Sequence, residues 1–250
     1  MKYKRDSLGT RMKEYYENIP KTKLMRRCPV MIRLDGVAFH TFTKGLKRPF
    51  DDILRNSMND TMLYLCSNIQ GCVFGYTQSD EITLVLTDYK ELNTNAYFDY
   101  NIQKLTSVCA SIATREFIIA IANLCLDDEN KANKYFKGLT SLAFDARAFN
   151  IPVSDVCNNL VWRQLDCIRN SKQMVAQANF SAKELHKKSC DKLVEMLNEK
   201  GIDWNSFPST CKYGTTVYKE NGIWKLDIET PVFTENRNFI EKHLDIDKIC

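Results

Sequence analysis

No uninterrupted apolar run in these 250 residues reaches membrane-spanning length; the longest, such as residues 117–122, fall far short of the roughly 20 residues a bilayer requires. Residues 1–11 are charged and have no apolar run behind them, so the pattern of a secretory leader is missing. There is no Cys-x-x-Cys pair, and the only histidines, His40, His186 and His243, stand near no cysteine at zinc-ligand spacing. These absences argue against a structural zinc site. The ten cysteines are scattered over a full-sized chain. Without a leader they read as reduced thiols of a cytoplasmic protein. Internal repeats and low-complexity linkers are also lacking.

What is present is a 44% hydrophobic composition, enough to bury an ordinary core in one large domain or two closely packed ones. The net charge of +4 is unevenly spread. Residues 1–48 hold thirteen basic side chains against four acids, a local +9, which leaves −5 for the remainder. Such asymmetry suits an anionic partner, polyphosphate or nucleic acid, meeting one edge of the molecule; a solvated N-terminal segment gives the same pattern.

Residues 29–34 form a short apolar run ending in Asp35-Gly36, which reads as a buried strand delivering an acid at its C-terminal end. Ile53, Met58, Met62 and Leu65 give residues 51–69 an apolar helical face, and Gly71 stops it. Two β-rich runs, 72–77 and 82–86, flank Gln78-Ser79-Asp80-Glu81 and predict a hairpin with acids at its tip. A helix over residues 95–124, a strand over 142–149 and a helix from Pro152 towards Phe180 follow. The order β-α-β-β-α-β is that of the ferredoxin-like unit, an α+β antiparallel sheet with two helices on one face. Residues 181–200 read as a helix opened by a Ser181/Glu184 capping box, and 215–218 with 223–228 as a closing hairpin turning at Asn221-Gly222. The expected division is 1–150 as catalytic unit and 151–250 as a helical and hairpin portion.

Asp35 and Asp80-Glu81 lie forty-five residues apart in sequence, yet this topology sets them at neighbouring strand ends. Each alone is ordinary turn chemistry. Together they make a hard-oxygen site suited to Mg²⁺, since a fold gains nothing by gathering like charges without a cation between them. Two such ions activate an attacking oxygen and neutralise a leaving pyrophosphate.

Arg33-Leu34-Asp35-Gly36 with Phe39-His40 and Phe42, then Gln78-Ser79-Asp80-Glu81, Phe144-Asp145 with Arg147, and Trp162-Arg163-Gln164 with Asp166 resemble, in order, the motifs of the tRNAHis guanylyltransferase family and its Thg1-like proteins. The resemblance spans residues 29 to about 215. It implies a polymerase-type palm that extends tRNA at its 5′ end, in the 3′-to-5′ direction. ATP adenylylates a 5′-monophosphorylated tRNA, the 3′-hydroxyl of GTP or another nucleoside triphosphate displaces AMP, and pyrophosphate is removed. Carried over, Asp35, Asp80 and the Gly36 carbonyl hold two Mg²⁺ ions, with Glu81 beside them. Gly36, Val37, Ala38, Phe39 and His40 cradle a triphosphate with Ser79 and Lys104. Either Lys47 or Arg48 supplies the cation before Pro49. Asn101 stands where relatives carry arginine.

Arg147, Arg163, Arg169, Asn170 and Lys188 fall at positions of tRNA contact in the family. Arg163, Asp166, Asn170, Gln173 and Gln177 predict a polar outward stripe on the helix after Pro152, opposite Val161, Leu165, Ile168 and Val175. A second basic group, Lys183, Lys187, Lys188 and Lys192, reads either as a tRNA-steering patch or as a solvated face. The family resemblance further implies a homo-tetramer, a dimer of dimers. Eukaryotic members show His-Ile-Asn-Asn after Asp-Cys, whereas Asp166-Cys167 here precedes Ile168-Arg169-Asn170-Ser171. That departure resembles the Thg1-like branch, which favours template-directed repair of 5′-truncated tRNA. The rival expectations are guanosine addition to tRNAHis, a non-catalytic tRNA-binding protein, and a nucleotidyl cyclase of the same palm topology.

Overall fold

Six strands form one sheet: β1 (Val30–Gly36), β2 (Cys72–Gln78), β3 (Glu81–Leu86), β4 (Phe144–Asn150), β5 (Thr215–Glu220) and β6 (Ile223–Asp227). The order across it is β4-β1-β3-β2-β5-β6, with every neighbouring pair antiparallel. This computed structural model describes residues 7–126 and 128–244; Lys2, Lys4, Arg5 and Asp6 of the basic segment, and Cys250, lie outside the described residues. The helices are α1 (Ser7–Met12), α2 (Phe39–Phe42), α3 (Asp52–Asn68), α4 (Ile102–Leu124), α5 (Glu129–Leu139), α6 (Val153–Asn179), α7 (Ala182–Leu185), α8 (Cys190–Glu199), α9 (Ser209–Tyr213) and α10 (Arg237–Leu244).

The first four strands with α3 and α4 make the expected ferredoxin-like unit. Side-chain alternation decides what each sheet face packs against. Val30, Ile32 and Leu34 of β1, with Ile82, Leu84 and Leu86 of β3, share one core with Met58, Met62 and Leu65 of α3 and Leu105, Phe117 and Ile121 of α4. Gly75 lets α3 close onto β2, since a Cβ there would meet Cys66 Sγ at 2.4 Å. Met31, Phe74, Tyr76 and Val85 point the other way, into a second core completed by Val156 and Leu160 of α6 and Ile240 and Leu244 of α10. Helices therefore cover both faces, and the hairpin β5-β6 extends the sheet outward from β2.

Three local expectations change. The helix expected over 95–124 is two pieces, because Phe98, Asp99 and Tyr100 take left-handed backbone ahead of α4, which Asn101 caps by accepting from the Lys104 N–H at 3.0 Å. The α4 segment has the length and apolar composition to cross a membrane, but here it lies along the sheet. The helix expected over 181–200 breaks into α7 and α8, with Lys187 at φ 59°, although the Ser181/Glu184 capping box forms. Helix α5 was not expected; its Tyr135 hydroxyl donates to buried Asp51 at 2.6 Å, tying it to the start of α3. Among the described residues all nine cysteines are unpaired.

One buried side chain fastens α6 to the C-terminal segment. Gln164, 1% exposed, donates to the carbonyls of Tyr213 (3.2 Å) and Pro231 (2.8 Å) and accepts from the Phe233 N–H (2.6 Å). Gln164→Leu leaves those main-chain groups buried and unpaired, and is expected to cost about 2–4 kcal/mol in urea unfolding. A loss under about 1 kcal/mol would show that the chain ends hold without this latch.

Candidate functional site

At one end of the sheet the side chains facing α6 change from apolar to charged. Along β1 the series is Met31, Arg33, Asp35; on β3, read from its far end, it is Val85, Thr83, Glu81; on β4 it is Phe149, Arg147, Asp145. Register sets Asp35 opposite both Glu81 and Asp145. The two-residue connection Ser79-Asp80, with Ser79 at φ 51°, brings Asp80 alongside, where its carbonyl accepts from the Gly36 N–H at 3.1 Å. Four carboxylates thus gather at one strand end.

Their electrostatic surroundings differ. Glu81 is buried, and Arg163 Nε stands 2.8 Å from its carboxylate; Arg163 Nη2 also reaches Asp166 at 2.6 Å. Burial raises the Glu81 carboxyl above its ordinary range, while Arg163 and Arg33 pull it back down. Arg147 Nη2 lies 3.4 Å from Asp145 and 3.9 Å from Asp35. Among the described residues Asp80 has no ion-pair partner. Its carboxyl is raised by burial and by the Asp35 charge, with a Ser79 hydroxyl bond (3.1 Å) acting in the opposite sense.

Beside this cluster runs a cleft of about 380 Å³ lined by His40, Lys47, Arg48, Ser79, Asp80 and Gln177. Its loop is held by packing: Phe39 is buried against Phe42, Phe117 and Phe144, with ring centroids 5.3–5.5 Å apart. A Cβ on Gly36 would meet the Phe39 ring at 2.1 Å, so only glycine admits this approach. His40 is exposed. Val37 N–H is taken by the Ala143 carbonyl at 2.8 Å, Ala38 is left-handed (φ 52°), and the leading N–H groups of α2 lie ahead of any intrahelical acceptor. Lys47 is engaged with Asp52 at 2.9 Å, whereas among the described residues Arg48 makes no ion pair, which favours Arg48 as the free cation of the cleft.

The structure brings Asp35, Gly36, Val37, Ala38, Phe39, His40, Arg48, Ser79, Asp80 and Glu81 together, with Arg147 at the rim. It does not bring Lys104. The N-terminal end of α4 is bonded to residues 22–24 (Ile102 N–H to Thr22 O, 3.0 Å), and Phe117, which does reach the loop, lies thirteen residues or roughly 20 Å further along the helix. Arg163 also departs from expectation: it is 5% exposed and turned inward, while Trp162 and Leu165 are 53% and 49% exposed. The outward stripe anticipated on α6 is thus rotated, because Glu81 on the sheet attracts the guanidinium and Gln164 is drawn to the chain end. Asn170 lies partly buried near Asp166 (3.4 Å), Arg169 pairs with Asp166 at the surface, and Lys188 is exposed between α7 and α8. Arg33 and Asp145, assigned no role in advance, belong to the cluster; their two-residue spacing from Asp35 and Arg147 along the strands was the available signal.

Asp35 and Asp80 fit a divalent cation. They are hard oxygen donors that repel each other; Asp35 has only the 3.9 Å approach of Arg147 and Asp80 has no ion-pair partner among the described residues, whereas Glu81 has Arg163. Among the described residues no three His, Cys, Asp or Glu side chains are grouped for a metal, so main-chain oxygens and substrate phosphates must complete any coordination.

The sequence profile of tRNAHis guanylyltransferase matches residues 9–152. A bacterial tRNA(His) guanylyltransferase (Thg1)-like protein, solved in complex with ATP, is 38% identical, covers 96% of this chain and 100% of its own, and superposes with a TM-score of 0.85. A GTP complex of such a protein gives 36% identity and a TM-score of 0.77, covering 95% and 99%. The tRNA(His) guanylyltransferase 2 of Arabidopsis thaliana is 25% identical over 89% of this chain, which spans only 43% of that longer protein.

The raised Asp80 carboxyl has a consequence for stability. The folded chain binds this proton more tightly than the unfolded one, so the penalty is absent below the ordinary carboxylate range and complete above the folded value. Asp80→Asn is expected to raise the thermal midpoint at neutral pH, with the gain shrinking towards about pH 4. Added Mg²⁺ is expected to stabilise the wild type and not the variant. A midpoint lowered at neutral pH would contradict the charge deficit.

Proposed function

The chain belongs to the tRNAHis guanylyltransferase family of nucleotidyltransferases, and on that premise we propose that it repairs 5′-truncated tRNA by template-directed addition in the 3′-to-5′ direction. The observation that carries the transfer chemistry is the meeting of Asp35 with Asp80, the latter without an ion-pair partner among the described residues, beside a cleft furnished with His40, Arg48 and Ser79. Mg²⁺ held by these two carboxylates, with the Gly36 carbonyl, supplies charge neutralisation at the reacting phosphates.

The chain's own groups do the rest. Arg48, His40, Ser79 and the amides leading into α2 hold the triphosphate tail, as main-chain N–H groups do in anion-binding turns. Arg147, exposed at the rim and loosely tied to Asp35 and Asp145, meets the phosphate at the tRNA end. Glu81 stays with Arg163 and positions β3, so that Asp80 keeps its place. In the first step a 5′-phosphate oxygen attacks the α-phosphorus of ATP and pyrophosphate leaves. The 3′-hydroxyl of an incoming nucleotide then attacks the activated 5′-phosphorus, loses its proton, and AMP departs. Hydrolysis of the new 5′ end removes pyrophosphate.

The repair reading is supported by Ile168 in place of the motif histidine and by 38% identity to the bacterial Thg1-like protein over nearly the whole chain. Lys104 reaches a triphosphate only if another copy brings its α4 there, which accords with the tetramer the family resemblance implies. In our reading the enzyme works in the cytoplasm.

With labelled nucleotide, Mg²⁺ and ATP, incorporation into 5′-monophosphorylated truncated tRNA is expected to exceed that into full-length tRNAHis. The reverse preference would assign guanosine addition instead. Asp80→Ala is expected to lower transfer at least about a thousandfold, with tRNA affinity changed less than about threefold. Retained transfer would refute the metal assignment.

A further inference from the structure

We propose that the indole of Trp162, on the outer side of α6, is a stacking platform for a nucleobase of the RNA next to its reacting 5′ end. The inference deepens the nucleotidyl-transfer reading of the cleft and rests on it.

Trp162 is 53% exposed and Leu165, one turn on, is 49% exposed, although tryptophan is ordinarily among the more buried side chains. The ring is nevertheless held. The guanidinium of Arg163 lies 4.1 Å from its centroid and that of Arg33 lies 5.9 Å away. Arg163 is turned inward and Arg33 belongs to β1, so both approach from the protein side and the open side of the ring faces solvent. An indole fixed in this way gives up little further freedom when a second flat ring stacks on it.

Its position suits the RNA and not the incoming nucleotide. Arg163 reaches Glu81 at 2.8 Å, and Arg33 stands opposite Arg147 in register, so the ring borders the acid cluster on the side of Arg147. The triphosphate cleft is lined by Met174, Gln177 and Ala178 of the same helix, the nearest of them twelve residues or roughly 18 Å beyond Trp162. Bases of single-stranded RNA stack on aromatic rings while neighbouring cations hold the phosphates. Arg147 and Arg169, both exposed, supply that charge, and the acids beside them, Asp145 and Asp166, are already paired with them. Because the neighbours of the ring are guanidiniums and not an apolar patch, an anionic partner with flat rings fits this face better than a second protein surface.

The test uses the full chain as wild type, Trp162→Phe and Trp162→Leu. Each is assayed with 5′-monophosphorylated truncated tRNA and with the same RNA made abasic at the 5′-terminal nucleotide or at the first unpaired position of the opposite strand. Leucine is expected to raise KM for the RNA about tenfold and phenylalanine about twofold, with kcat and the KM for ATP changed less than about twofold. RNA is expected to quench the tryptophan emission of the wild type. The part of that quench removed by Trp162→Phe is expected to vanish with one of the two abasic RNAs, which identifies the strand that stacks; a purely structural role would not tell abasic RNA from intact RNA. An RNA KM and a quench that are equal in all three proteins, or indifferent to both abasic positions, overturn the proposal. So does an unchanged RNA KM with a changed oligomer mass in light scattering, which would assign the face to a second copy of the chain. Should Trp162→Leu fail to fold, the wild type decides by distinguishing the abasic RNAs from the intact one, or not. A wild type that shows the Trp162-dependent quench yet transfers no nucleotide leaves the platform standing and refutes the reading of the cleft.

Discussion

Carboxylates gathered at one end of a sheet repel one another, and the arrangement around them is largely an answer to that repulsion. Strand register leaves no freedom: Asp35 must face Glu81 and Asp145, and the hairpin connection adds Asp80. Three arginines respond unequally. Arg163 is buried against Glu81, Arg33 lies close enough to lower its carboxyl, and Arg147 is shared loosely between Asp145 and Asp35. Positive charge is thus concentrated on Glu81 and Asp145, reaches Asp35 only at 3.9 Å, and among the described residues makes no ion pair with Asp80. A chain selected for stability alone would not leave that gap.

Much of this was legible in the sequence, because the strands write their two faces in alternation. Leu34 between Arg33 and Asp35 marks one side as core and the other as charged, and the Ser79-Asp80 connection fixes the opposing strand. Once β1 and β3 pair, the meeting of Asp35 with Glu81 follows from geometry. Asp145 and Arg33 followed by the same rule, although only their neighbours had been given roles.

Helix α6 was misread for a physical reason. Periodicity assigns faces by assuming that charged residues go outward, which fails where a buried carboxylate is waiting on the sheet. Arg163 is drawn inward to Glu81, and Trp162, stacked over its guanidinium at 4.1 Å, is left at the surface. Lys104 is displaced for another reason: α4 is long enough that its first turn and its Phe117 sit at opposite ends of the sheet, which keeps this lysine from the cleft of its own copy. The breaks before α4 and within 181–200 depend on left-handed Phe98, Asp99, Tyr100 and Lys187, none of them glycine, so nothing local announced them.

The position that separates this chain from the eukaryotic pattern also gains a physical setting. Ile168 packs against the cluster of Val175, Leu193, Leu197 and Trp204 that joins α6 to α8. An imidazole there would bring a polar ring to an apolar seam, so the isoleucine suits the packing of α6 on α8. Ser171, one turn further along, accepts from Trp204 Nε1 at 3.1 Å and fastens the same seam. In the repair reading, Ile168 bears on RNA choice through the seating of α6 against α8, while the transfer chemistry stays with the strand ends.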